Sequence, residues 1–579
     1  MCQFNWLINR LVAQLVTFFR GRITLWQGLL IVVTGLWIYS PVFHGDWLGD
    51  DAADIYQNPV TLDPAGWWMN WFMPSRLTFY YPIKADVQWV QWRLWGMDTL
   101  GYHLTNIVLH LCSALLIWQL LAKLGLRFAW LGGLLFVVHP VTVESVAWIA
   151  ELKNTLSLPP ALLAMCCWID YEEQRRPRDY LMAALWFIVA MLCKVTTAFF
   201  PAIILLYAWW KHGRIGWRDL KISTPFWIMA VALVSMTVWL VQSKSVPMNY
   251  LPPLAGLGPR LLCAEETALF FIGKAIWPVG LLPLYPPWRV DTVSLWQLLS
   301  GLALLAALFW CWIQRKSWGR HVLLGLGFFL INLLPTIGSI QLQYGSMVWS
   351  LDHLDYLSLI GLIGLAVAGL DQINQRLSPL PRRFGMGLVA VLIAALAWES
   401  HAYASNFANQ FQLWTYTLSR DPNSSPAYTN LGLLLLERYR LADAYKEFSM
   451  ALKIDPENSE ARTGLGNVLF YSGHASKAIP HFEAALQHNP NYILAYNALA
   501  NALIQTGDLA RAKATCETAL RVAPNNVSIH CTLTLIFAKM GDHAAALEEF
   551  ETARRLEPAN SKVLDAIKSM LLDPKQTPK

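Results

Sequence analysis

The sequence predicts an all-α protein, a polytopic transmembrane helical bundle of about eleven spans followed by an α-solenoid of four helical repeats. Three observations carry this. Hydrophobic residues make up 55% of the 579 positions and charged residues only 14%, with a mean hydropathy of +0.37, too apolar for an ordinary water-soluble enzyme. Apolar runs of membrane length follow one another up to residue 402. Beyond residue 403 charged residues become frequent, and apolar positions recur with a helical period that restarts every 34 residues. The net charge of +6 is spread along the chain, which gives no basic tail for nucleic acid. Nine Cys are scattered without CxxC spacing, which argues against a zinc site or a disulfide framework.

The membrane part occupies residues 1–402. Its candidate spans are roughly 23–43, 103–124, 128–148, 154–170, 180–195, 196–211, 224–242, 295–313, 321–336, 355–371 and 385–402. The first is long and lacks a small-x-small cleavage site, so it reads as a span and not as a signal peptide. Segment 262–282 is followed closely by Pro283, Pro286 and Pro287 and contains Pro278, so it reads as re-entrant or interfacial. Basic clusters then recur at alternate loops: Arg20 and Arg22, Lys123 and Arg127, Arg175 and Arg176, Lys211 and Arg214, Arg315 and Lys316, Arg382 and Arg383. Positive charge marks the cytoplasmic side, so the N-terminus is expected inside and the C-terminal domain outside, in the periplasm if this is a bacterial inner membrane.

A linker at 403–424 leads into repeats at 425–562. Reading down the columns, Gly432, Gly466, Ala500 and Thr534 form one small position. Ala444, Ala478, Ala512 and Ala546 form a second, and Ala451, Ala485, Ala519 and Ala553 a third. Phe448, Phe482, Cys516 and Phe550 stand between them, and each unit closes with Pro456, Pro490, Pro524 or Pro558. Small residues let paired helices approach, the aromatic fills the gap to the next pair, and Pro ends each unit. This is the tetratricopeptide (TPR) pattern. Residues 563–579 read as a capping helix and tail. Such arrays present a concave face that docks peptides or proteins.

Chemistry is expected at the outer face. The loop at 44–100 opens with Asp46, Asp50, Asp51 and Asp54 beside a membrane surface. A carboxylate placed there can act as general base on an acceptor hydroxyl, or hold a metal beside a phosphate. A solvated loop with a turn at Asn58-Pro59 has the same composition. His103 and His110 are seven residues apart and share a helix face, His139 and Glu144 interrupt an apolar stretch, and Lys153, Lys194 and His353 intrude further on. Ionisable groups at membrane depth are costly and are candidate functional residues by default. Helix packing for the histidines and snorkelling for Lys194 are the structural alternatives.

These stretches resemble the family of transmembrane and TPR-containing proteins, whose membrane part resembles type C glycosyltransferases and protein O-mannosyltransferases. The matching residues are Asp50-Asp51 with Asn58-Pro59, Gly101-Tyr102-His103 with Asn106 and His110, His139-Pro140, Glu144 with Trp148 and Lys153, Lys194, Trp277-Pro278 with Tyr285-Pro286, Asn332 with Pro335, and Asp352 with Tyr356. The resemblance implies transfer of a sugar from a polyprenyl-phosphate donor to an exoplasmic protein or glycan. It implies Asp50 or Asp51 as base and Lys153, Lys194 and His353 as contacts for the donor phosphate, with the TPR face docking the acceptor. No cofactor is implied beyond that lipid-linked donor, and no tight ligand cluster argues for a divalent metal, which such chemistry could still use. Four positions depart from the pattern: Gly49 replaces an aromatic, Tyr81 and His353 stand where Arg is expected, and Asn154 where Asp is expected. A membrane-anchored TPR scaffold for envelope assembly, needing no acidic pair, is the reading from a different class. A transporter fits less well, because no paired internal repeat is visible.

Overall fold

A computed structural model describes residues 22–74, 80–243, 257–286, 294–334 and 352–556. Among the described residues the regular structure is helical throughout. The chain forms two units, a membrane-helix unit that closes at Asn409 and a repeat unit that runs on from Gln410.

In the first unit, α1 (Arg22–Ile38) leads to the acidic loop and helix α2 (Pro82–Trp95). Helices α3 (Leu100–Lys123), α4 (Ala129–Val138) and the short α5 (Val143–Ala147) follow. Then come α6 (Leu152–Gln174), α7 (Pro177–Cys193), α8 (Phe200–His212) and α9 (Trp217–Ser243). The unit ends with α10 (Leu257–Ile276), α11 (Leu295–Ile313), α12 (Gly319–Leu333), α13 (Leu359–Arg376) and α14 (Pro379–Ser405). Turns close these helices for local reasons. Gly213 caps α8 at φ 74°, Pro177 and Pro379 open α7 and α14 at the first helical turn, and Ser294 forms a capping box with Gln297.

The eleven expected spans are not all matched by long apolar helices. Among the described residues four helices qualify: Leu100–Lys123, Trp217–Leu240, Leu295–Lys316 and Pro379–Ala408. A fifth crossing results if Ala129–Val138 and Pro140–Ala147, bent by 59°, count as one span. The shortfall has a physical cause. α6 carries Lys153, Asn154, Asp170 and two internal prolines, while α7, α8 and α12 have only 17, 13 and 15 residues, short of the roughly 20 needed to span alone. The segment expected to be re-entrant is a continuous 20-residue helix, α10, that ends before Pro278. Glu265, Glu266 and Lys274 lower its hydropathy.

The second unit stacks four helix pairs: α15 (Ser425–Glu437) with α16 (Leu441–Ile454), α17 (Ser459–Tyr471) with α18 (Ala475–His488), α19 (Ile493–Thr506) with α20 (Leu509–Val522), and α21 (Val527–Met540) with α22 (His543–Leu556). The column residues pack as their sizes demand. Phe448 is fully buried between Gly432 and Gly464, where an added Cβ would lie 2.7 and 2.4 Å from its ring. Asn458 caps α17 through Ala461 N and donates back to Ser425 and Thr429 of the preceding repeat, at 2.9 and 3.1 Å. Pro558 and the expected capping helix at 563–572 lie outside the described residues.

Candidate functional site

Asp50 and Asp51 are neighbours with different surroundings. Asp51 is fully buried; its Oδ2 accepts from Leu48 N and its Oδ1 from Ala150 N, both at 2.7 Å. It therefore ties the acidic loop to the turn that opens α6. Burial drives its pKa well above the usual carboxylate range, against the pull of those two donors. Asp50 instead faces solvent, yet protein crowds its carboxyl. Burial raises its pKa first of all; the charges of Lys153 and Lys84 pull it down, and those of Asp54 and Glu151 push it up. The backbone just before the pair explains the departure at Gly49. This residue has φ +34°, and a Cβ there would meet the Trp148 ring at 2.9 Å, so the indole already fills the space an aromatic would take.

The loop continues as a π-helical turn, Ala52–Tyr56, which aims Asp54 at α2. Lys84 Nζ donates to Asp54 Oδ2 at 2.6 Å with its ammonium largely buried. On the far side of Asp50 the strip Glu144–Asn154 packs against the Asp352–Leu354 turn and the end of α7. His353 Nδ1 lies 2.7 Å from Glu144 Oε1, and His353 N donates to Glu144 Oε2 at 3.2 Å. His353 Nε2 points towards Glu151 Oε2 at 3.8 Å. Glu151 accepts from Lys153 Nζ at 2.8 Å and from Asn154 Nδ2 at 2.5 Å, and Asn154 Oδ1 accepts from Lys194 Nζ. Glu144, Glu151, Asn154, Lys194 and His353 are all buried, so each relies on the others for the solvation it has lost. Burial works to raise the pKa of Glu151, but its cationic neighbours hold it at about 2. His353 is driven to about 3 by burial and is neutral at pH 7, and burial lowers Lys194 to about 7, so at that pH Lys153 is the main cation that holds Glu151 ionised and Lys194 carries only part of a charge. A second branch runs from Asp352, which accepts from Tyr285 OH at 2.9 Å and Tyr403 OH at 3.4 Å.

The structure thus brings together Asp50, Asp51, Glu144, Lys153, Lys194 and His353 from the expected set. Asp54 of the acidic loop joins them with Glu151, Asn154 and Asp352, and Lys84 is the addition. His103, His110 and His139 make other contacts, although Tyr356, the partner of His110, lines the same small cavity as Asn154, Lys194 and His353. His103 is buried beside Gly45, His110 Nδ1 meets Tyr356 OH at 2.8 Å, and His139 Nε2 meets Ala275 O at 3.0 Å. Lys194 does not snorkel, because its ammonium is held inside by Asn154. A cavity of about 20 Å³, lined by Asn154, Lys194, Asn332 and His353 among others, lies against the cluster.

Two parts of the chain match known families. Residues 82–241 match the dolichyl-phosphate-mannose-protein mannosyltransferase family and residues 469–530 the tetratricopeptide repeat. Among curated proteins, protein O-mannosyl-transferase Tmtc3 of Drosophila melanogaster is 21% identical over 64% of this chain and 48% of its own length. Human protein O-mannosyl-transferase TMTC4 is 22% identical over 54% of this chain and 51% of its own. A protein O-mannosyl-transferase of Caenorhabditis elegans is 31% identical over 25% of this chain and 24% of its own. The chain spans about half the length, or less, of the curated relatives it matches. Among solved structures, the TPR protein YrrB matches with 22% identity over 27% of this chain and 81% of its own, at a TM-score of 0.24.

Proposed function

We propose, on the premise that a mannosyltransferase-family membrane segment here precedes tetratricopeptide repeats, that this chain transfers a sugar from a polyprenyl-phosphate donor to a hydroxyl of an exoplasmic acceptor. The observation that carries the reading is the solvent-facing Asp50 set between two partly buried lysine–carboxylate arms, Lys84–Asp54 and Lys153–Glu151. A scaffold has no need of buried charge at this density, which costs stability unless it is used.

In this mechanism Asp50 takes the proton of a Ser, Thr or sugar hydroxyl. The oxygen attacks the anomeric carbon, the bond from that carbon to the phosphate oxygen breaks, and polyprenyl phosphate leaves with the electron pair. Lys153 and Lys194 stand beside the leaving phosphate and offset its developing charge. Asp51 touches no substrate; it fixes the backbone that presents Asp50. His353, neutral and held by Glu144, orients the carboxylates and contributes no charge at neutral pH. The repeat array docks the acceptor or a partner protein.

Glycan mass spectrometry of exoplasmic proteins and glycolipids tests this in cells with the chain, without it, and with Asp50→Asn. Loss of a hexose-sized mass in the last two supports transfer. Unchanged glycans in both would refute it and favour the scaffold.

A further inference from the structure

We propose that the membrane unit holds a second, separate lipid site at the end remote from Asp50, built for one acyl chain of an anionic phospholipid. An apolar cavity of about 260 Å³ lies between α3, α6, α8, α12 and α13. Leu121, Met165, Ile203, Phe328 and Gly364 are among its walls, and its polar groups come from Tyr207, Trp210 and His321. These three mark the mouth. His321 is exposed, and its Nδ1 accepts from Trp210 Nε1 at 3.0 Å.

The rim is basic. Lys211 Nζ sits 5.6 Å from the Tyr207 ring centroid. Arg320 directly precedes His321, and its guanidinium lies 3.8 Å from where a Cβ of Gly213 would stand. Among the described residues neither Lys211 nor Arg320 forms an ion pair, whereas the nearby Lys123–Asp170 and Arg175–Glu172 pairs are satisfied. Arg320 Nε is buried with no hydrogen-bond partner, the mark of a donor awaiting an acceptor. An apolar chamber under unpaired cations fits a lipid whose headgroup carries negative charge.

The donor's own chain does not account for this chamber. α6 runs from Leu152, beside the polar cluster, to Gln174 at the basic end, 23 residues or roughly 34 Å. Among the described residues, the cavities between the cluster and the chamber measure about 20 and 10 Å³, room for about one water each, so these two cavities do not carry a prenyl chain from one to the other. The site is independent of the proposed transfer reaction.

The test uses the full chain in mixed micelles with phosphatidylglycerol or phosphatidylcholine, with retained lipid counted by native mass spectrometry. One phosphatidylglycerol per chain is expected to survive washing, in preference to phosphatidylcholine. Lys211→Gln with Arg320→Gln is expected to weaken that preference by roughly thirty-fold, about tenfold for each 1.4 kcal/mol. Gly364→Phe, which fills the chamber where only Leu121 lies within 4 Å of a new Cβ, is expected to abolish retention in protein that still elutes as a single species. Equal retention of the two lipids, no retained lipid, an unchanged preference in the double variant, or one-for-one displacement by a short polyprenyl phosphate would each overturn the proposal. Because the readout is bound lipid, the result stands whether or not the chain transfers sugar.

Discussion

Asp50 and Asp51 carry the sharpest residue-level contrast. Asp51→Asn puts an amide NH₂ against a backbone N–H and is expected to destabilise the unit by about 1–3 kcal/mol, read as a lower thermal midpoint in detergent. Asp50→Asn is expected to leave that midpoint unchanged and lower transfer by about 10²- to 10⁴-fold. An active Asp50→Asn protein would remove Asp50 from the mechanism. The pH dependence has a defined sign. As the proposed base Asp50 must be ionised, and its pKa is raised above the ordinary 3.8, so transfer should fall off on acidification sooner than for an unperturbed carboxylate. The folded state binds this proton at least as readily as the unfolded chain, so the same acidification draws no stability from this residue. A rate profile alongside a melting profile checks both. A third substitution probes Lys194: Lys194→Met should depress transfer strongly and Lys194→Arg restore part of it, since a cation is what a leaving phosphate needs. The acidic pair was legible in the sequence as a pair, but its division of labour was not, because two adjacent aspartates look alike until their backbone donors are known. His103 and His110 raise a related point. A shared helix face says nothing about which neighbour each ring meets, and His110 met Tyr356 across 246 positions.

At the scale of elements, the repeats were readable because their packing is local. Every column residue meets its own pair or the adjoining one, so spacing alone predicted that Phe448 lies between small residues. Phe448→Ala is accordingly expected to cost about 3–5 kcal/mol. Amide exchange should quicken in α15 to α17 while α21 and α22 stay protected; uniform loosening would contradict the local picture. Tyr439 marks the same logic by exception. It holds φ 56° where Gly473, Gly507 and Gly541 take 81°, 86° and 81°, a conformation that costs a side chain about 1–2 kcal/mol. Its ring contact with Tyr471 at 6.4 Å returns only part of that. The membrane site was far less legible. It is assembled from residues 50–54, 84, 144–154, 194 and 352–353, drawn from loops and helix ends that no local period links. The count of eleven spans is not confirmed by the long apolar helices among the described residues, for a physical reason as well: helices that carry buried charge, such as α6, need not be uniformly apolar when neighbours shield them.

At the scale of the whole molecule, the alternation of basic turns predicts an exoplasmic repeat domain. A reporter active only outside the cytosol and fused after Lys579 should be active, and activity of a cytosolic reporter alone would reverse the topology and move Asp50 away from an exoplasmic acceptor. The two units also differ in how they tolerate change. The polar cluster knits distant segments, so an insertion in its loops disturbs several partners at once. The repeat array behaves as a ruler, each interval meeting only the next. Duplication of one 34-codon stretch at the Pro490 turn should therefore lengthen the reach of the array while leaving the older intervals as they were, which makes acceptor span a property that can drift independently of the chemistry.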